Sequence, residues 1–364
     1  MNVIEYKCPN CGSGMVFDSE KGTLTCHSCG RQDNIEQYQD PLSQQAFSSD
    51  EVQEYHCTSC GAVIIADVET AATMCNFCGS AVVLGDRLSG KLAPSLIIPF
   101  SISKEQATQA FKKWCRNGRL TPSGFMAANR IKGMTGVYVP FWLYELHNKV
   151  DAHGHATIVR TYTRGDYRYT ETQHFNIYRG LHLNYLRVPI DSSKKMDDGL
   201  MDRLEPFPYD QLRNFKTPYL AGYVAEKYSY TDSELLPRAK DKIRSYIEES
   251  ISSSVSGYST FLFTDKQIDT KVMNAEYCMV PVWMFQYDYN RKSYTFAMNG
   301  QTGKVVGKPP LSMGKMAAWF AGIASVSFLS LKIISWAMEE GSCEKKRCIT
   351  RFDSYIAASS RLSN

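Results

Sequence analysis

Eight of the twelve cysteines fall into one spacing that occurs twice. Fourteen residues separate the pair Cys8 and Cys11 from Cys26 and Cys29, and fourteen separate Cys57 and Cys60 from Cys75 and Cys78. The copies lie 49 residues apart and their flanks agree, EYKCPNCG against EYHCTSCG and TCHSCG against MCNFCG. A C-x-x-C turn presents two thiolates on one side of a short knuckle, and two knuckles close a tetrahedral S4 site. Gly12, Gly30, Gly61 and Gly79 follow the second cysteine of each pair, where a tight turn that aims backbone N–H groups at sulfur favours glycine. The spacing predicts two zinc ribbons, residues 1–36 and 54–90, joined by a polar linker over 37–53, and two structural zinc ions. Iron in rubredoxin-like knuckles is the alternative metal. With four thiolates per site, no position stays open for a catalytic water.

Reduced, metal-ready thiols belong in the cytosol, and the opening MNVIEYKCPN lacks the apolar stretch of a signal peptide. Cys115, Cys278, Cys343 and Cys348 remain as small buried or free thiols, with no Cys-His pairing that would make a nucleophile. Charge is divided unevenly. Residues 1–90 hold four Lys/Arg against twelve Asp/Glu, a formal −8, and two Zn²⁺ on eight thiolates add −4. The rest holds 37 basic and 25 acidic groups, so the overall +4 hides an acidic head on a basic body. Phosphate-binding surfaces need Lys and Arg, so nucleic acid is not expected as a partner of the ribbons, and a protein partner is.

Residues 91–310 read as an α+β domain. Ser103 and Gln106 form a capping box before a helix ending at Gly118, with Ala107, Ala110, Phe111 and Trp114 as its apolar stripe. Lys112, Lys113, Arg116 and Arg119 make it basic, so it is also a candidate for lying near a membrane surface. Thr231 and Glu234 form a second box before a helix carrying Ile243, Ile247 and Ile251. Short alternating bursts over 155–190 suggest an antiparallel meander, and SYTFAMNGQTGKVV a hairpin around Asn299-Gly300. VYVPFWLYEL (137–146) and CMVPVWMFQY (278–287) each follow a helix, which points to an internal duplication; their prolines fit an edge strand or a strand start.

Catalytic motifs are missing. NGQTGK lacks P-loop spacing, and no Ser-His-Asp or dinucleotide fingerprint occurs. His153 and His155 would share one strand face, with His147, His174 and His182 near in sequence, but no carboxylate or cysteine stands at a spacing that completes a site. Asp197, Asp198 and Asp202 read as the solvated side of a short helix that points Met196, Leu200, Met201 and Leu204 inward. The expectation is a protein that is not an enzyme.

Residues 316–338 are apolar except for serines and Lys332. Twenty-three residues rise about 34 Å, enough for a hydrocarbon core of about 30 Å, and Trp319 and Trp336 sit near the ends as interfacial anchors. The segment predicts a transmembrane helix followed by a polar tail, 339–364, with a buried helix of a soluble protein as the alternative. Lys304, Lys308 and Lys315 favour a cytosolic N-terminal side, while Lys345, Lys346 and Arg347 oppose that orientation.

The double ribbon, IIPFSISKEQATQAFKKW (97–114), VYVPFWLYE (137–145), LMDRLEPFPYDQLRNFKTPYLAGYVAEKY (200–228), VPVWMF (280–285) and NGQTGKVVGKPP (299–310) together resemble the bacterial membrane proteins with TFIIB-type zinc ribbons, the YdjG-like family. The resemblance covers about residues 5–335. It implies work at the cytoplasmic membrane beside phage-shock-type and flotillin-like partners, as a recruiting factor in envelope maintenance. The tail after Met338 departs from the longer glycine- and serine-rich end of that family. The leading expectation is a non-enzymatic membrane adaptor, its ribbons in the cytosol recognising protein and its helix in membrane lipid. A zinc-ribbon factor that binds nucleic acid in transcription or replication is the alternative.

Overall fold

The computed structural model describes residues 3–37, 53–61, 63–66, 70–75, 80–84, 93–116, 118, 120–122, 125 and 131–359. They form two compact units, residues 1–113 with 129–308, and residues 114–128 with 309–364.

The first unit opens with β1 (Val3–Ile4), β2 (Met15–Asp18), β3 (Thr23–Cys26) and β4 (Gln32–Asp33), then β5 (Gln53–His56), β6 (Val63–Ala66), β7 (Thr70–Met74) and β8 (Ala81–Leu84). The remainder runs β9 (Leu96–Ile97), α1 (Lys104–Arg116), β10 (Ile131–Arg164), β11 (Tyr167–Asp191), α2 (Asp198–Leu204), β12 (Arg213–Asn214), β13 (Val224–Glu226), α3 (Asp232–Ser253), β14 (Thr260–Tyr289), β15 (Lys292–Asn299) and β16 (Val305–Gly307). Both capping boxes form. Ser103 and Gln106 exchange hydrogen bonds of 3.1 and 3.3 Å at α1, and Thr231 and Glu234 do so at α3.

One sheet runs β1-β8-β7-β13-β10-β14-β15-β16, with β11 beside β10 and β9 beside β14. The short bursts expected over 155–190 are instead parts of two very long strands. β10, with 34 residues, covers up to about 110 Å of chain. Its central stretch, Val137 to Leu143, is buried on both faces, which accounts for the unbroken apolar run there. One face packs on α2 through Leu200, Met201 and Leu204. On the other, Phe111 of α1 stacks on Phe285 with ring centres 4.4 Å apart, so α1 is a core helix.

The element order short strand, helix, long strand, hairpin strand occurs twice, as β9-α1-β10-β11 and β13-α3-β14-β15. Each short strand pairs in parallel with the long strand of the other set, β13 with Val137–Tyr138 and β9 with Cys278–Met279. This arrangement corrects the reading of Pro140 and Pro281, which lie inside central strands rather than on an edge or at a start. Pro140 falls between the partners β13 and β11, whose pairing begins at Phe141. Pro281 falls between β9 and β15, which begins at Val282. A missing N–H is tolerated where one neighbour ends and the next starts. Their carbonyls are used: Pro140 O accepts from Ser192 N at 3.0 Å and Pro281 O from Gly300 N at 2.9 Å. Gly300 is forced by space, since a Cβ there would lie 2.6 Å from the Phe100 ring. The hairpin at Asn299 is wider than a two-residue Asn-Gly turn. Its Oδ1 accepts from Gln301 N and Thr302 N, and the chain returns at Lys304.

The ribbons are stitched into this unit. Ala72 of β7 pairs with Ala225 of β13, and Val3 of β1 pairs with Leu84 of β8. Phe17 N donates to Ala221 O at 2.9 Å, and Tyr6 and Thr217 hydroxyls meet at 2.5 Å. The apolar segment 62–68 contributes β6, which pairs with β5 as a ribbon strand; residues 62, 67 and 68 lie outside the described residues.

In the second unit α4 spans Met313–Ser359, so helix continues through most of the stretch expected as a separate tail. Ser312 caps it, its Oγ accepting from Lys315 N, while Ser312 N and Lys315 Nζ donate to Leu120 O and Thr121 O at 2.8 and 2.7 Å. Met313–Trp336 is long and apolar enough to cross a membrane and is unburied.

Candidate metal centres

In the first ribbon the knuckles are built by local hydrogen bonds. Cys8 N donates to Ser13 O and Gly12 N to Cys8 O, at 2.7 and 2.8 Å. Cys26 N donates to Arg31 O and Gly30 N to Cys26 O, at 2.8 and 2.9 Å. Gly12 and Gly30 hold φ of +73° and +76°, the left-handed region that closes each turn. Their N–H groups therefore serve the carbonyl of the first cysteine, not a sulfur. Pairing of Met15 with Cys26 brings the knuckles together.

The four thiols of Cys8, Cys11, Cys26 and Cys29 lie within 4.8 Å of one another. Cys8 to Cys29 and Cys11 to Cys26 are both 3.5 Å between sulfurs. A tetrahedron with Zn–S of about 2.3 Å requires sulfurs about 3.8 Å apart, so the donor set fits a zinc ion with a slight expansion. The backbone N–H and hydroxyl of Ser13, then the neighbouring sulfurs of Cys26 and Cys29, pull the Cys11 thiol down to about 6, toward the thiolate a metal requires.

The second ribbon repeats the pattern. Gly61 N donates to Cys57 O at 2.8 Å with φ +72°, and Cys75 N to Ser80 O at 2.9 Å. Cys57, Cys60 and Cys75 are gathered, Cys60 to Cys75 at 3.7 Å. Cys78 lies outside the described residues. Tyr55, Val82 and Leu84 bury the inner thiols Cys57 and Cys75. Three thiolates with a fourth cysteine three residues on fit a structural zinc ion.

Sequence reasoning missed Glu5. Its carboxylate, from the first ribbon, grips the first knuckle of the second ribbon: Ser59 N donates to Oε1 at 3.0 Å, Ser59 Oγ to Oε2 at 2.8 Å, and Lys7 Nζ lies 2.9 Å away. Burial alone would raise Glu5, but hydrogen bonds from Thr58, Lys7 and Ser59 hold it at about 2. The repeated EY before the first knuckle of each ribbon was visible, but a contact spanning 54 residues has no local signature.

The histidines are not among these clusters. Strand register places all five middle-domain histidines on one face of the long strands. His147, His153 and His155 of β10 alternate with buried residues, and His182 and His174 of β11 pair with Lys149 and Thr157 on that same face. Cys115 and Cys278 are buried, and burial alone pushes the Cys115 thiol up to about 11, which leaves it an inert packing group.

Residues 6–47 match the family described as TFIIB zinc-binding. Over 339 residues, 93% of this chain and 99% of the relative, the chain is 60% identical to a Bacillus subtilis (strain 168) protein named "Uncharacterized protein YdjG". No solved structure matches it.

Proposed function

Because this chain belongs to the YdjG family of TFIIB-type zinc-ribbon proteins, we propose that it is a non-enzymatic adaptor held in the cytoplasmic membrane, whose cytosolic ribbons recruit protein partners for envelope maintenance. The observation that carries this reading is Met313–Trp336, 24 residues that are unburied in the described structure. Their helical rise of about 36 Å exceeds a hydrocarbon core of about 30 Å. Phe320, Ile323, Val326, Phe328, Leu329 and Leu331 are all more than half exposed, and so large an apolar surface needs lipid or a partner to cover it. The all-thiolate donor sets support a scaffold role, because a closed S4 site offers no coordination position for substrate.

Removing residues 312–364 is expected to move the protein from the membrane pellet to the soluble fraction, while the intact chain stays in the pellet through high salt and carbonate. An intact chain that washes off in salt, as screening predicts for a purely electrostatic contact, would sink the anchor. The adaptor reading also makes a prediction against the nucleic-acid alternative. The same truncated chain, residues 1–311, should show no salt-dependent shift of single- or double-stranded nucleic acid at ~0.15 M salt; tight binding there would favour the alternative reading.

A further inference from the structure

We propose that the open face of the long sheet carries a third metal site, in which His153 and His155 of β10 and Asp265 of β14 bind a divalent transition cation. The face is defined by parity. Ala152 and Ala156 point into packed clusters beneath α3 and the segment after it, so His153 and His155 between and beside them point the other way, and both are exposed. Two residues apart on one strand, their Cβ atoms stand about 7 Å from each other, a span two imidazoles can close on one ion.

Beside Asp151 on the same strand, a second carboxylate comes from the neighbouring strand. His153 pairs directly with Asp265, 112 positions later in the chain, which sets their Cβ atoms about 5 Å apart. Immediately beside this pair the register shifts, since Gly154 pairs with Phe263 and leaves Thr264 as the extra residue. Its Oγ1 donates to His153 O at 3.3 Å. A bulge of this kind re-aims the flanking side chains.

The outer partners suit a ligand role for the imidazoles. His155 Nδ1 lies 2.8 Å from Asn176 Oδ1. An amide oxygen only accepts, so Nδ1 carries the proton and Nε2 keeps its lone pair for a metal. The His153 ring rests against Tyr178, centres 4.8 Å apart. Tyr178 in turn donates to Asp151 at 2.5 Å, and Asp151 also takes Lys149 at 3.1 Å. Asp151 is thereby committed to supporting the ring platform, and Asp265 is left as the anionic ligand.

Two imidazoles and one carboxylate select first-row transition cations over Ca²⁺ and Mg²⁺, which take oxygen donors. Unlike the cysteine sets, these three groups are not already gathered within 4.8 Å. All three side chains are exposed, so they can rotate onto an ion without repacking a core, and positions on its solvent side remain open for a further ligand.

The test uses the untagged full chain in mild detergent with both ribbons loaded with zinc. Calorimetric titration with Ni²⁺ is expected to show one saturable site per chain without zinc release. The double variant His153→Ala, His155→Ala should lose that site, and Asp265→Asn should weaken it by at least about tenfold. The double variant His174→Ala, His182→Ala, on the same face, should bind as the wild type does. No saturable Ni²⁺ site in the wild type, unchanged binding in the His153/His155 variant, or equal loss in the His174/His182 control would each overturn the proposal. Circular dichroism of each variant separates loss of a ligand from loss of fold.

Discussion

Cys26→Ser in the full chain is expected to leave one zinc where the wild type holds two, and to unfold the first ribbon. The ribbon's own core is small: Met15, Phe17 and Leu24 are buried beside Cys8 and Cys26. A unit of this size buries too little apolar surface to stay folded unaided. Structural zinc supplies an apparent ~10–16 kcal/mol, comparable with the entire ~5–15 kcal/mol by which a typical domain is stable. The damage should also spread. Phe17 N would lose Ala221 O, Val3 would separate from Leu84, and Glu5 would release Ser59. Amide exchange at Met15–Asp18 and Thr23–Cys26 should therefore rise steeply, that at Ala81–Leu84 more modestly, and that at Val137–Leu143, buried between β14 and its other partners, not at all. Metal analysis still giving two zinc per chain, or unchanged protection in β2 and β3, would show that Cys26 is not a structural ligand.

Asp191→Asn is expected to stabilise the protein at pH 8 and to change little at pH 4. Asp191 ends β11 with only 1% of its surface exposed, and its Oδ2 has no hydrogen-bond partner among the described residues. Burial is the main force that raises its carboxyl from 3.8 to about 7. The Ser193 N–H and Arg238 oppose that rise, while the nearby Asp198 carboxylate adds to it. Arg238 is drawn off by Asp198 at 2.9 Å and Asp202 at 3.2 Å. Below about pH 4 the group is neutral in both folded and unfolded chains and costs nothing. Between about 4 and 7 the unfolded chain ionises first, so the folded state loses stability as pH rises, and the loss is complete above the folded value. Taken whole, the shift corresponds to about 4 kcal/mol. Asparagine removes the ionisation, keeps an acceptor for Ser193 N and turns a donor toward Asp198. A gain of about 2–4 kcal/mol at pH 8, fading as pH falls, is the expected denaturation result. A loss of stability at pH 8 would mean that the charge on Asp191 is favourable through Arg238.

Local chemistry was legible in the sequence. Each described knuckle is a turn of a few residues, so C-x-x-C-G specified the tight turn and the positive φ of Gly12, Gly30 and Gly61, while the acceptor of each glycine N–H, the first cysteine's carbonyl rather than a sulfur, emerged only in the structure. The same is true of Ser103 with Gln106 and Thr231 with Glu234, and of the short helix carrying Leu200, Met201 and Leu204 inward. Alternation in strands was visible too, but strand length was not. Residues 158–173 extend past the start of β14, which pairs only as far as Thr157, so most of them are exposed and their pattern fades into polar residues.

The sequence by itself determined two matched thiolate sets, an α+β body and an apolar segment long enough for a bilayer, because each depends on spacing within a few turns or a single run of residues. Tertiary structure alone decided which distant residues meet. It placed Pro140 and Pro281 at the seams between strand partners, joined both ribbons to the main sheet through β1, β7 and β13, and set Glu5 against Ser59 and Asp265 against His153. Strand register fixes such meetings. For Asp265 and His153 it arises where two long strands pair edge to edge, and a shift of one residue would send the side chains of the shifted strand to the other face.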